Sequence, residues 1–175
     1  VLFRSDQPDL FARICGYLDQ AGFSTLDAQI HTAKNGYALD TFQLIAASLT
    51  EHYRELITMV ESELTLTLER AGPLPAASRG RVSRRVKSFP ITPRVSLQPD
   101  EKAQRWLLSV SASDRMGLLY NIAQVLARNH INLKLAKIST LGERVEDTFL
   151  IDGPDLQQSR RQIEIETELM TALQG

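Results

Sequence analysis

Apolar residues recur four apart twice along the chain, as Leu10, Ile14, Leu18 and again as Leu118, Ile122, Leu126. That spacing puts each trio on one face of a helix. A Ser-Asp pair precedes each trio, Ser5-Asp6 and Ser113-Asp114, and a short apolar strand precedes each pair, "VLFR" and "RWLLSVSA" (Arg105–Ala112). A strand follows each helix, Phe23–Thr32 and Ile131–Thr140; Ile131, Leu133 and Leu135 alternate as in a half-buried strand. A tight turn comes next, Asn35-Gly36 in the first case and one containing Gly142 in the second, leading into "ALDTFQLIA" and "RVEDTFLID". A second helix closes each unit. The first has a capping box at Ser48 and Glu51, a stripe through Leu49, Tyr53, Leu56, Ile57, Val60, Leu64 and Leu68, and a stop at Gly72-Pro73. Its "LTLTL" end reads as helix because it continues that stripe. The second helix has a weaker stripe through Leu156, Ile163 and Met170.

The two halves are copies. At an offset of 108, eight positions between Ser5–Thr32 and Ser113–Thr140 are identical, and "DTF" recurs at Asp40–Phe42 and Asp147–Phe149 with an offset of 107. The first copy therefore has one extra residue in its turn. Asp6 and Asp114 read as N-caps or pre-helix turn residues; Gly22 ends the first helix and Asn129-His130 the second. The order β-α-β-β-α-β predicts an α+β protein of two ferredoxin-like units in tandem, with antiparallel sheets and helices on one face. The first unit spans 1–70, a Pro- and Arg-rich connector 71–103, and the second unit 104–175. "TPRVSL" within the connector reads as the fourth strand of the first copy, near 92–98. The second copy ends at its helix, so its fourth strand is either missing or supplied by another segment. The opening "VLFR", half the length of its counterpart, suggests a piece of a longer protein.

Composition narrows the function classes. From Ala71 to Pro99 there are six basic residues and no acidic one; the whole chain has net charge -1, so the remainder carries -7. A solvated loop, or one touching an acidic surface of another domain, accounts for this stretch better than nucleic acid. Base stacking needs several aromatics on the central strands, and "DTF" offers one Phe beside a carboxylate. The single Cys15, between Ile14 and Leu18, reads as a buried core residue, and one thiol suits a reducing cytoplasm. No apolar run approaches a membrane span, and His31, His52 and His130 lack metal-ligand spacing. Trp106 and the phenylalanines read as core. No nucleophile–base pair or phosphate loop supports an enzyme in its own right.

A strand leading into Asp-x-x-Gly-Leu (Asp114–Leu118), a helix, "HIN", a strand and a hairpin resembles the ACT domain, a module that usually senses amino acids. Two long blocks in tandem carry a closer likeness: "SDQPDLFARICGYLDQAGFSTLDAQIHTAKNGYALDTF" and "DRMGLLYNIAQVLARNHINLKLAKISTLGERVEDTF". In that order they are similar to the C-terminal region of the bacterial bifunctional uridylyltransferase/uridylyl-removing enzymes. The resemblance implies a non-catalytic, glutamine-sensing, cytoplasmic stretch that needs no cofactor. Upstream, it implies a Mg-dependent, UTP-using nucleotidyltransferase domain that modifies signal protein PII, and an HD-type domain that reverses this. It also implies ACT–ACT pairing or a homodimer, and neither a nucleic-acid nor a membrane partner.

A free amino acid offers a carboxylate and an ammonium. A helix N-terminus presents unpaired amides and a positive dipole end to the first, worth roughly 0.3–1 kcal/mol. Gly117 lets a ligand approach that turn, Asp114 accepts from an ammonium, and Asn132 pairs with an amide side chain. By resemblance the ligand-binding candidates are Asp114, Arg115, Gly117, Leu118 and Asn132, with Asp6, Gln7 and Asp9 at the matching turn of the first copy. There Asp9 replaces the glycine and Ser24 replaces Asn132. A carboxylate at that turn repels a ligand carboxylate, so the first copy is a structural partner or binds differently. A structural or dimerising tandem without a ligand is the alternative function.

Overall fold

The computed structural model describes residues 2–3, 9–32, 38–46, 53–70, 72–78, 91–101 and 104–174. Asp6, Gln7, the Asn35-Gly36 turn, Ser48, Leu49, Glu51, His52 and most of the basic run lie outside the described residues. The elements are β1 (Leu2–Phe3), α1 (Leu10–Gln20), β2 (Phe23–Thr32), β3 (Ala38–Ala46), α2 (Tyr53–Arg70), β4 (Arg94–Pro99), β5 (Trp106–Ser113), α3 (Leu118–Arg128), β6 (Asn132–Leu141), β7 (Arg144–Asp152), a 3-10 turn (Pro154–Gln157) and α4 (Ser159–Gln174).

All seven strands form one antiparallel sheet in the order β1-β3-β2-β6-β7-β5-β4. The two copies join inside the chain through β2 and β6, where Gln29 pairs with Lys137. The 108 offset makes these two residues counterparts, so they sit on a pseudo-two-fold axis. On either side of them Ala28 pairs with Ile138 and Ile30 with Ala136, each residue facing the counterpart of the other.

The strand at Arg94–Pro99 belongs to the second copy, which corrects its assignment to the first. It pairs with β5 from Arg94↔Ser111 to Pro99↔Trp106. Proximity in sequence explains this. Just beyond the Pro99–Trp106 pair, the Asp100 amide donates to the Arg105 carbonyl at 2.8 Å, closing the hairpin between β4 and β5. The Gln104 and Arg105 amides in turn donate to Asp100 Oδ1 at 2.9 and 3.1 Å. Reaching β1 would require closing a loop of about half the chain.

The helices cover one sheet face. A single core crosses the copy boundary, joining Phe11, Cys15, Ala28 and Ile30 to Val110, Ile122, Ala136 and Phe149. The Phe11 and Phe149 rings meet edge to face, with centroids 6.4 Å apart. Cys15 is a buried free thiol, as its apolar neighbours predict. A smaller cluster, Leu10, Ile14, Tyr17, Leu18, Leu64 and Leu68, packs α2 on α1. On α4 the buried stripe is Ile165, Leu169 and Leu173, and Ile163 is 62% exposed. The separate 3-10 turn holding Leu156 shifts the helical phase and moves the stripe off Ile163.

Gly22 follows α1 at φ +76°, and its counterpart His130 follows α3 at φ +52°. The Ile131 amide donates to the Leu126 carbonyl at 3.0 Å, closing a left-handed helix end. The start of the connector, residues 72–78, is a strap held by hydrogen bonds to α1 and α3. The Pro75 carbonyl accepts from Tyr120 Oη at 2.7 Å and Gln124 Nε2 at 2.9 Å. The Ala76 carbonyl accepts from Gln20, and the Gly72 carbonyl from Arg13. Gly16 makes room for this arrangement, because a Cβ there would lie 2.9 Å from the Tyr120 ring.

Candidate functional site

Antiparallel pairing of β2 with β6 sets the start of β2 beside the end of β6, where Thr140 Oγ1 donates to the Thr25 carbonyl at 3.4 Å. The turn from β5 into α3 arrives at the same place, anchored by the Asp114 amide donating to the Glu143 carbonyl at 2.8 Å. Between them is a cleft of about 70 Å³. Its walls include Asp114, Arg115, Gly117 and Leu118 from the second copy and Asp19, Ser24 and Thr25 from the first. Cys15 and Asp147 line it as well.

Three carboxylates converge here. Asp147 is 2% exposed and accepts from the Ser139 amide at 3.2 Å. Burial pushes its pKa up to about 7; the Ser139 amide opposes that shift, and nearby Asp114 and Glu146 add to it. Burial also raises the Asp114 pKa, against a lowering from the Arg115 amide. Asp19 is 6% exposed. Its Oδ2 accepts the Ser78 amide at 2.7 Å, and its Oδ1 has no hydrogen-bond partner among the described residues.

Gly117 is the N-cap of α3 at φ +76°. A Cβ there would stand 2.9 Å from the Ser78 carbonyl oxygen and 3.3 Å from Asp19 Oδ1. The strap thus crosses directly over this glycine. Asp9, its counterpart, is the N-cap of α1 at φ -110°, and its carboxylate pairs with Arg13 at 3.2 Å. A right-handed entry into α1 removes the demand for glycine at that position. The first amide to close an α-helical bond in α3 is that of Asn121, to the Gly117 carbonyl, so the Leu119 and Tyr120 amides have no intrahelical acceptor.

Of the ligand-binding candidates, Asp114, Arg115, Gly117 and Leu118 meet at this cleft. Asp114 lies ahead of the N-cap, which makes it a turn residue and not a cap. Arg115 donates to the Ala172 carbonyl in the last turn of α4, which commits its charge to a helix C-terminus. Asn132 is elsewhere. It starts β6, pairs with Asp152, and donates to the Asp152 carboxylate at 3.0 Å. The ten residues of β6 set it roughly 30 Å from the Asp114 turn. In the cleft its place is taken by Ser24, its counterpart from the first copy. Asp6 and Gln7 lie outside the described residues.

A family model described as the ACT domain matches residues 106–166, the β5–α4 unit that supplies the turn and Asp147. Residues 106–166 form an ACT domain. Along 98% of its length it is 54% identical to the bifunctional uridylyltransferase/uridylyl-removing enzyme of Ralstonia nicotianae. It is 53% identical to the enzymes of that name from Aromatoleum aromaticum, over 99% of the chain, and Cupriavidus metallidurans, over 98%. The chain spans 20–21% of the length of these relatives.

Sequence reasoning about this ACT tandem missed Asp19 and Asp147 as cleft residues. A signal for Asp147 was present: "DTF" recurs in both copies, and both its aspartates are buried. Asp19 had no such signal, since its counterpart is Ala127 and a single helix carboxylate ordinarily faces solvent. Among the described residues no group of three or more His, Cys, Asp or Glu could hold a metal ion. No helix among them is long and apolar enough to cross a membrane.

Proposed function

We propose that this ACT tandem senses free glutamine and reports its level to domains elsewhere in the longer protein that add uridylyl groups to signal protein PII and remove them. The observation that carries this reading is the inter-copy cleft itself, where three carboxylates face the open amide end of α3. An ammonium group suits Asp114 and the unpaired Asp19 oxygen, and an α-carboxylate suits the Leu119 and Tyr120 amides. The amide of glutamine adds no charge, whereas the second carboxylate of glutamate would meet the acidic cluster. The structural alternative rests on the shared core and on the strap crossing Gly117, features that serve pairing even without a ligand.

Calorimetry on this chain at pH 7.5 separates the two readings. The sensor reading expects saturable heat with glutamine, binding at least about tenfold weaker with glutamate, and loss of binding in Gly117→Asp. Absence of heat with either amino acid would leave the tandem as a pairing module.

A further inference from the structure

In the strand order, pseudo-symmetry fails among the described residues at the outer edge of β1. In the second copy the first strand, β5, lies between β7 and β4. In the first copy β1 pairs with β3, and among the described residues nothing pairs with its other side. The repeat offset puts the counterpart of Arg94–Pro99 ahead of Val1.

The closing helices record what belongs there. "ESELTLTL" (Glu61–Leu68) in α2 and "ETELMTAL" (Glu166–Leu173) in α4 align without a gap. In the second copy Glu166 Oε1 accepts the Leu97 amide of β4 at 3.1 Å. Ile165 is 1% exposed, in the cluster against which Val95 and Leu97 of β4 pack. Their counterparts in the first copy are Glu61, which is exposed, and Val60, which is only half-buried. Thus α2 keeps both the acceptor and the apolar position that α4 uses to seat an edge strand.

We propose that residues roughly ten to fifteen positions ahead of Val1 in the longer protein form a strand antiparallel to β1, joined to it by a hairpin of ordinary length. Glu61 accepts one of its amides, and its inward residues cover Val60. The completed sheet has eight strands and full pseudo-two-fold symmetry. The link from the ACT tandem to the rest of the protein is then a sheet strand, and movement of the first copy passes directly into the preceding chain. The occupant is this segment, because β4 shows the same hairpin arrangement in the second copy and relatives of this chain are about five times its length.

Hydrogen exchange by mass spectrometry on the full-length protein tests this. Peptides covering Leu2–Phe3 and the segment ahead of Val1 should exchange at least about tenfold more slowly than an unstructured chain. Glu61→Ala should speed exchange of that segment by the same factor by which Glu166→Ala speeds exchange of β4, with glutamine absent throughout. Unprotected exchange ahead of Val1 overturns the proposal. So does protection untouched by Glu61→Ala, or protection that disappears on dilution, which would mean a second copy occupies the edge.

Discussion

Replacing Gly117 with alanine adds one methyl group where two separate costs meet. The left-handed conformation, φ +76°, costs an L-residue about 1–2 kcal/mol. Part of that is offset because alanine restricts the unfolded chain. The second cost comes from the strap. The new Cβ would lie 2.9 Å from the Ser78 carbonyl oxygen, so the backbone there must lift. Lifting weakens the Ser78–Asp19 bond and the two bonds to the Pro75 carbonyl, each worth about 0.5–1.5 kcal/mol. Gly22→Ala is the internal control, because it has the same φ and nothing within 4 Å of the added Cβ. Urea unfolding followed by circular dichroism should show Gly22→Ala costing about 1 kcal/mol and Gly117→Ala about 2–4 kcal/mol. For a chain of this size, the latter lowers Tm by roughly 5–12 °C. Equal costs at the two glycines would show that the strap does not press on Gly117.

Other consequences are as direct. His130→Gly relieves a left-handed non-glycine residue at the end of α3 and should raise stability by up to about 1 kcal/mol in the same urea assay. Asp147 holds its proton to higher pH when folded than when unfolded. Its contribution is therefore intact below about pH 4 and declines as pH rises toward 7, by up to roughly 4 kcal/mol for a group shifted to about 7. Asp147→Asn keeps an oxygen for the Ser139 amide, so its stability relative to wild type should increase across that window; a flat difference refutes the shift. Arg115→Met strands the Ala172 carbonyl and should cost about 1.5–3 kcal/mol, seen also as faster hydrogen exchange in the last turn of α4.

The repeat made most of the fold legible. Four-residue spacing located α1 and α3, strand alternation located β6, and the offset of 108 gave two like units. Pairing between elements was less accessible. β4 has the same alternation wherever it docks, and a six-residue turn assigned it to β5. Asn132 shows the limit at the site. Its position in sequence matched the pattern, but α3 lies between the Asp114 turn and the start of β6, so Asn132 sits at the far end of the strand, and antiparallel pairing brings the start of β2 to the turn instead. Residues that look adjacent within one repeat can therefore lie at opposite ends of the sheet. The strap was hidden because Pro75 and Ser78 act through backbone atoms, which composition does not report.

Glutamine binding in the cleft between the two copies is the proposal on which the sensor role depends. Amide chemical-shift mapping of the labelled chain during glutamine titration tests it most directly. Glutamine should produce saturable shifts confined to Ser24–Thr25, Asp114–Tyr120 and the strap around Ser78, with little change from glutamate at the same concentration. Shifts centred on Asn132 and Asp152, or none at saturating glutamine, would contradict it.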